Sequence, residues 1–410
     1  MKKLFMTFIA ASLALAACTG DDEDYDGAGA SRQITFARPV MYGVTRAAGE
    51  INGVYPTTEK FCVSGVKYPA TGYTGWASAT QVFDNQCEEF AYSAQVIGKG
   101  WISAKPYFFE EDKKYAFGAY SPSSIKTTNT IATSGPSSAQ TVTYDATGLH
   151  VTNYFAGDMG SQTDLMYAQR KYDITSAYNN SHGGSTEGTD GNTNATYDGV
   201  NLVFRHALAS VHFKTCVDPD YVTFKQNAGY GTAEGEFSII SVKINKVAGS
   251  GTFNEGITSE GGASKTTYVA TPKWTDNTTY TTSYTFMESV LPGGNAAGMA
   301  VPMPAAAGTK VSDRAADITT LTYDTDKKGL SGLLVPQTIN KDAEIAVTWK
   351  QTYRDDVTGL PATKTLSKTL TLKDITAEWK PGYRYIYTIV FSANSIYFAP
   401  EVTEWTEEVY

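Results

Sequence analysis

WKPGYRYIYTIVFSANSIYFAPEVTEWTEEVY, residues 379–410, closes the chain on two consecutive strand patterns. Pro381-Gly382 makes a tight turn. Beyond it Tyr385, Tyr387, Ile389 and Phe391 alternate with Ile386 and Val390, so both faces carry apolar side chains and the strand is expected to be covered on both. After Asn394-Ser395, Ile396, Phe398 and Val402 recur at even spacing around Pro400. Proline cannot donate to a ladder, so this last strand belongs at an edge or changes partners.

Working outward, the rest reads the same way. Residues 60–68, 80–82, 90–92, 107–120 and 141–144 are short strand patterns separated by turn residues, with Phe108, Phe109, Tyr115, Phe117 and Tyr120 expected in a core. Further strands fall at 238–245, 251–254, 281–287, 332–336, 343–353 and 365–372, with a loop at 292–304. Residues 172–197 are rich in Asn, Ser, Gly and Thr and read as an insertion, so His182 within them is expected to face solvent. From residue 200, Leu202, Phe204, His206 and Leu208 share one parity, and Val211 and Phe213 the other. That shift predicts a bulge near Leu208-Ala209.

The class is therefore all-β, built as sandwiches. Since single cores rarely grow past about 250–300 residues, a chain of 410 residues implies two domains. The expected divisions are a signal at 1–17, a leader segment at 18–46, and domains at 47–198 and 199–410.

Met1-Lys2-Lys3 followed by an apolar run to Leu15 is a secretory signal, too short to span a membrane. Leu15-Ala16-Ala17-Cys18 resembles a bacterial lipobox, which implies acylation of Cys18 and stable anchoring through several acyl chains. Asp21, Asp22, Glu23, Asp24 and Asp26 then form a solvated acidic spacer. Three cysteines remain; Cys62 and Cys87 can pair, and burial as a small hydrophobe suits at least one of Cys62, Cys87 and Cys216.

Net charge of −9 argues against nucleic acid, which needs a basic face. No motif for a metal or cofactor is written here, nor a nucleophile elbow or phosphate loop. Glu88-Glu89, Glu110-Glu111 and Asp355-Asp356 are adjacent pairs. On a strand neighbours point to opposite faces, so these read as turn and surface charges and not as a glycosidase pair. His206 and His212 read as packed, hydrogen-bonded strand residues. Trp76 and Trp101 read first as core or loop packing, and otherwise as a platform for a glycan.

Six stretches together carry a resemblance to the Bacteroidetes fimbrillin family, the subunits of type V pili. They are the C-terminal W-x-P-G-x-R-Y-x-Y-T-I with I-x-F-x-P-x-V-x-x-W, Ile34-Thr35-Phe36 before Thr45-Arg46-Ala47, DLMYA at 164–168, LVFRHALASVHF at 202–213, Gly251-Thr252-Phe253, and LLVPQ at 333–337. The resemblance implies two transthyretin-like β-sandwich domains and no catalysis. It implies routing of the acylated precursor to the outer membrane, with the acidic run as its signal. An Arg-specific protease would then cut between Arg46 and Ala47 and remove the first strand. The vacated groove would take a donor strand from another pilus subunit, with Ile396, Phe398, Val402 and Trp405 seating in it. Such a fimbrium at the cell surface would meet host surface ligands. The alternatives are a pilus anchor or a monomeric surface lipoprotein that binds glycans.

Overall fold

The computed structural model describes residues 33–42, 55–73, 75–84, 86–93, 100–126, 140–157, 159, 162–176, 199–218, 220–221, 235–259, 269–276, 279–288, 299–301, 316–317, 332–392 and 395–404. Their regular structure is strands and short turns of 3-10 helix, so the chain is all-β. Four of the sheets face each other in two pairs, beside two short ladders, Ile257–Ser259 with Val269–Ala270 and Gln337–Thr338 with Glu378–Trp379.

In the first pair, the larger sheet runs Val40–Tyr42, Val203–His206, Met166–Ile174, Lys113–Ser121, Phe61–Pro69, Glu88–Tyr92, Trp101–Ser103, with Thr80–Gln81 beside Phe61–Pro69. Its central strands are apolar at both parities. Phe61, Val63, Tyr115, Phe117 and Ala119 point into one core, while Cys62, Val66, Ala116 and Tyr120 point into another. The smaller sheet, Lys273–Asp276, Ser250–Asn254, Gly148–Phe155, Thr141–Asp145, covers that second face with Leu149, Val151 and Phe253.

The second pair sets one sheet, Ala316–Asp317, Ala209–Val217, Tyr383–Phe391, Ile396–Glu404, against another, Thr282–Glu288, Phe237–Val247, Glu344–Arg354, Pro361–Thr371. Tyr385, Tyr387, Ile389 and Phe391 meet Ile239, Val242, Ile345 and Val347 between them. Tyr383–Phe391 is the central strand expected from its two apolar sets, paired in parallel with Ala209–Val217 and antiparallel with Ile396–Glu404.

Two expectations change at residues 206–209. There is no bulge: Val203–His206 stays in the first pair of sheets and Ala209–Val217 opens the second, so the parity shift marks a crossing between sheets. Ala207 and Leu208 make that crossing, anchored by Ala207 N–H to Leu165 O at 2.8 Å and Gly382 N–H to Leu208 O at 2.9 Å. The division drawn at residue 199 is itself crossed by pairing. Val203–His206 pairs back to Met166–Ile174, and Ser250–Asn254 pairs with Gly148–Phe155. Two smaller corrections concern Phe108, which is 58% exposed, and Met299–Ala300, which pairs with Phe237–Val247 inside the expected loop.

The first sheet is closed on itself by residues 33–42. Phe36 bridges Val200 in parallel on one side and Trp101 antiparallel on the other. Ile34, Phe36 and Met41 are fully buried, and the Phe36 ring meets Phe61, Phe90 and Phe117 edge-on at 5.9, 4.7 and 5.4 Å. Truncating such a ring leaves a cavity that neighbours on fixed strands cannot fill. Phe36→Ala is expected to destabilise the intact chain by roughly 3–5 kcal/mol in urea denaturation, against less than about 0.5 kcal/mol for an exposed control such as Val357→Ala.

Candidate functional site

The closing segment bonds its neighbours through main chain on both sides. Toward Trp101 and Tyr107, Ile34 N–H donates to Tyr107 O at 2.7 Å, Phe36 N–H to Trp101 O at 3.0 Å, and Trp101 N–H to Phe36 O at 2.8 Å. Toward the other edge, Val200 N–H donates to Thr35 O at 2.9 Å, Ala37 N–H to Val200 O at 3.1 Å and Val40 N–H to Leu202 O at 2.8 Å. Gly199 fits here because the segment passes so close: its φ is +142°, and a Cβ would lie 2.5 Å from the Phe36 carbonyl carbon. If the segment leaves, two strand edges and an apolar channel open together.

The other half of the site is Ile396–Glu404, an edge strand paired along its length with Tyr383–Phe391. Its start is fastened. Ile396 is buried, Phe398 packs partly against the second core, Lys368 Nζ bonds Ile396 O at 2.8 Å and Ser395 Oγ at 2.6 Å, and Tyr397 donates to Asp218 at 2.7 Å. Its far end is paired but more exposed, with the side chains of Pro400, Glu401 and Thr403 exposed and Val402 at 50%. Of the four residues expected to seat in a groove, Ile396, Phe398 and Val402 thus lie on this strand. Trp405 lies outside the described residues, as do Cys18, Arg46, Ala47 and His182. Lys368, Asp218 and the main chain of Trp101 and Val200 were missed by sequence reasoning, since nothing local marks them.

The remaining candidates are structural. Trp101 is fully buried, with its indole N–H on Glu59 O at 3.3 Å, and Trp76 is 3% exposed beneath the Arg170 guanidinium at 3.9 Å. Neither is available as a glycan platform. Cys62 and Cys87 form a disulfide, and Cys216 is a buried thiol outside it. Glu89 pairs with Lys60 and accepts from Ser123, both at 2.8 Å, and Glu110 pairs with Lys67. Asp355 accepts from the Val357 and Thr358 amides and the Thr358 hydroxyl, bonds that hold its carboxyl below the usual carboxylate range and fix the turn. Among the described residues no group of three His, Cys, Asp or Glu is placed to hold a metal.

The fimbrillin-like family model matches residues 68–405, most of the chain. The chain belongs to that family. A fimbrial protein from Bacteroides vulgatus shares the fold of this fimbrillin-like chain at a TM-score of 0.50 and 14% identity, covering 92% of this chain and 100% of its own. A protein from Bacteroides uniformis assigned to cell adhesion gives 0.42 and 13%, covering 91% and 98%. No curated protein matches. In this fimbrillin-like chain Ile396–Glu404 lies inside the matched residues, whereas the closing segment lies before them.

The two strand histidines of the fimbrillin-like chain end in different sheets. His206 Nδ1 bonds buried Asp164 at 2.9 Å; His212 Nε2 bonds Ser210 Oγ at 2.7 Å. Burial, then the nearby positive charges of Arg384 and Lys214, push the His212 pKa down to about 3. The folded pKa lies below the unfolded value of about 6.5, so the unfolded chain binds the extra proton first. The stability is whole above that value and is lost progressively as pH falls toward 3. Between pH 7 and pH 5 this one group is expected to cost on the order of 2 kcal/mol in urea denaturation, and His212→Gln, which keeps a partner for Ser210, is expected to remove that part of the loss.

Proposed function

We propose that this fimbrillin-like chain is a structural subunit of a type V pilus, exported as a lipoprotein acylated on Cys18 and displayed at the outer membrane. An Arg-specific protease cuts after Arg46, residues 33–42 leave with the lipid, and the first sheet becomes an acceptor for a donor strand. The observation that carries this reading is the closing segment itself, bonded to strands on both of its edges while supplying the buried Ile34, Phe36 and Met41. Its removal exposes the amides of Trp101 and Val200 and the carbonyls of Trp101, Tyr107, Val200 and Leu202 beside an apolar channel. Unpaired main-chain groups and apolar surface are both satisfied by one incoming β-strand.

Ile396–Glu404 is the donor in this reading, through Ile396, Phe398, Val402 and Trp405. Each subunit gives a strand at one end and accepts one at the other, a head-to-tail contact that propagates as a fibre. The fold shared with a Bacteroides vulgatus fimbrial protein supports it. The fimbrium so formed supports adhesion to host surfaces and involves no catalysis. A monomeric glycan-binding lipoprotein draws no support from Trp76 or Trp101, both buried.

The test is intact mass and N-terminal sequencing of protein shed from cells, and of precursor treated with trace trypsin. The expected product starts at Ala47 and assembles into SDS-resistant ladders that vanish when residues 394–410 are deleted. Arg46→Ala should stay uncut and monomeric. A wild-type precursor that keeps its lipid and resists cleavage at Arg46 would count against a polymerising subunit.

A further inference from the structure

The closing segment is an imperfect strand, and the fault is at Pro39. Phe36 pairs with Val200, and pairing resumes at Val40 with Val203, so the segment advances four residues (36 to 40) while its partner advances three (200 to 203). That is a one-residue bulge. Ala37 N–H donates to Val200 O, and in an unbroken parallel ladder the next donor to Leu202 O is two residues on. That residue is Pro39, which has no N–H, and Val40 makes the bond instead.

Ile396–Glu404 carries the same residues without the fault. Ile396, Phe398 and Ala399 repeat Ile34, Phe36 and Ala37 at the same spacing, but Pro400 stands one residue closer to its Phe than Pro39 does. With Phe398 in the place of Phe36, Ala399 donates to Val200 O, and Glu401, which has an N–H, falls opposite Leu202 O. Val402 then takes the buried place of Met41. Superposing the two stretches without the one-residue step instead puts Glu401 in the buried place of Pro39 and Thr403 in that of Met41.

We infer that the vacated groove takes residues 396–402 of a second copy of this chain, parallel to Val203–His206, with Phe398 in the Phe36 pocket, Glu401 on Leu202 O and Val402 in the Met41 site. This rests on the strand-exchange reading and adds that the polymer is homomeric and that the placing of Pro400 sets its register. The incoming strand restores the regular ladder that Pro39 interrupts, so it is the better occupant of the same groove.

Two measurements test this. In the intact precursor, Thr35→Tyr, Val40→Glu and Met41→Val combined with deletion of Arg38 writes the C-terminal sequence into the groove in the inferred register. It should melt within about 4 °C of wild type. A fall of more than about 8 °C overturns the fit. In trimmed protein, Glu401→Pro should lower ladder yield roughly tenfold or more through the lost backbone bond, with Glu401→Gln as wild type and both monomers shown to be folded before assembly, since Glu401 also pairs with Ile386 in its own chain. Full ladders from Glu401→Pro overturn the inference. Trimmed wild type that stays monomeric refutes strand exchange itself, while the rewritten precursor still reads whether the groove fits this sequence.

Discussion

The main chain around Phe36 is bonded on both sides, Phe36 itself to Trp101 and its neighbours Thr35 and Ala37 to Val200, and the first core depends on that closure. A sheet that curls to enclose its own apolar face leaves two edges to be joined, and an edge left open within a core strands polar main-chain groups where water cannot reach them. One short segment solves both problems here. Its buried side chains fill the channel while its amides and carbonyls satisfy both flanking strands. The core is therefore complete without being covalently committed to this particular segment.

The same physics, with the opposite sign, acts at the other end of the chain. Among the described residues Ile396–Glu404 pairs on one edge only, and its side chains grade from buried Ile396 to half-exposed Val402. Lys368, reaching across from the facing sheet, and Asp218 hold its first residues, so its attachment is concentrated at one end. Two strands of similar sequence thus sit in unlike settings, one fully enclosed and one at a rim. Main-chain pairing makes them comparable, because it is indifferent to which residues supply the N–H and C=O groups.

Much of this was legible in the sequence, where the evidence is local. The two apolar sets of residues 383–391 place that strand between neighbours. What was misread depended on distant partners. A parity shift looks the same whether a strand bulges or crosses to another sheet, so residues 206–209 were read as the former. Phe108, an apolar residue in an apolar run, is turned outward by the fold. Trp76 and Trp101 read first as packed and are buried, by partners such as Arg170 and the closing segment that lie far along the chain.

Strands 250–254 and 273–276 belong by sequence to the second half of the chain, yet they complete the smaller sheet of the first. During synthesis, residues 148–155 must therefore wait about a hundred residues for Ser250–Asn254, and the closing segment waits still longer for Val200. Non-local closure of this kind slows folding, because loop entropy is spent before contacts repay it. A polypeptide released before residue 276 would hold an unfinished smaller sheet, which is complete only when just over two-thirds of the chain has emerged.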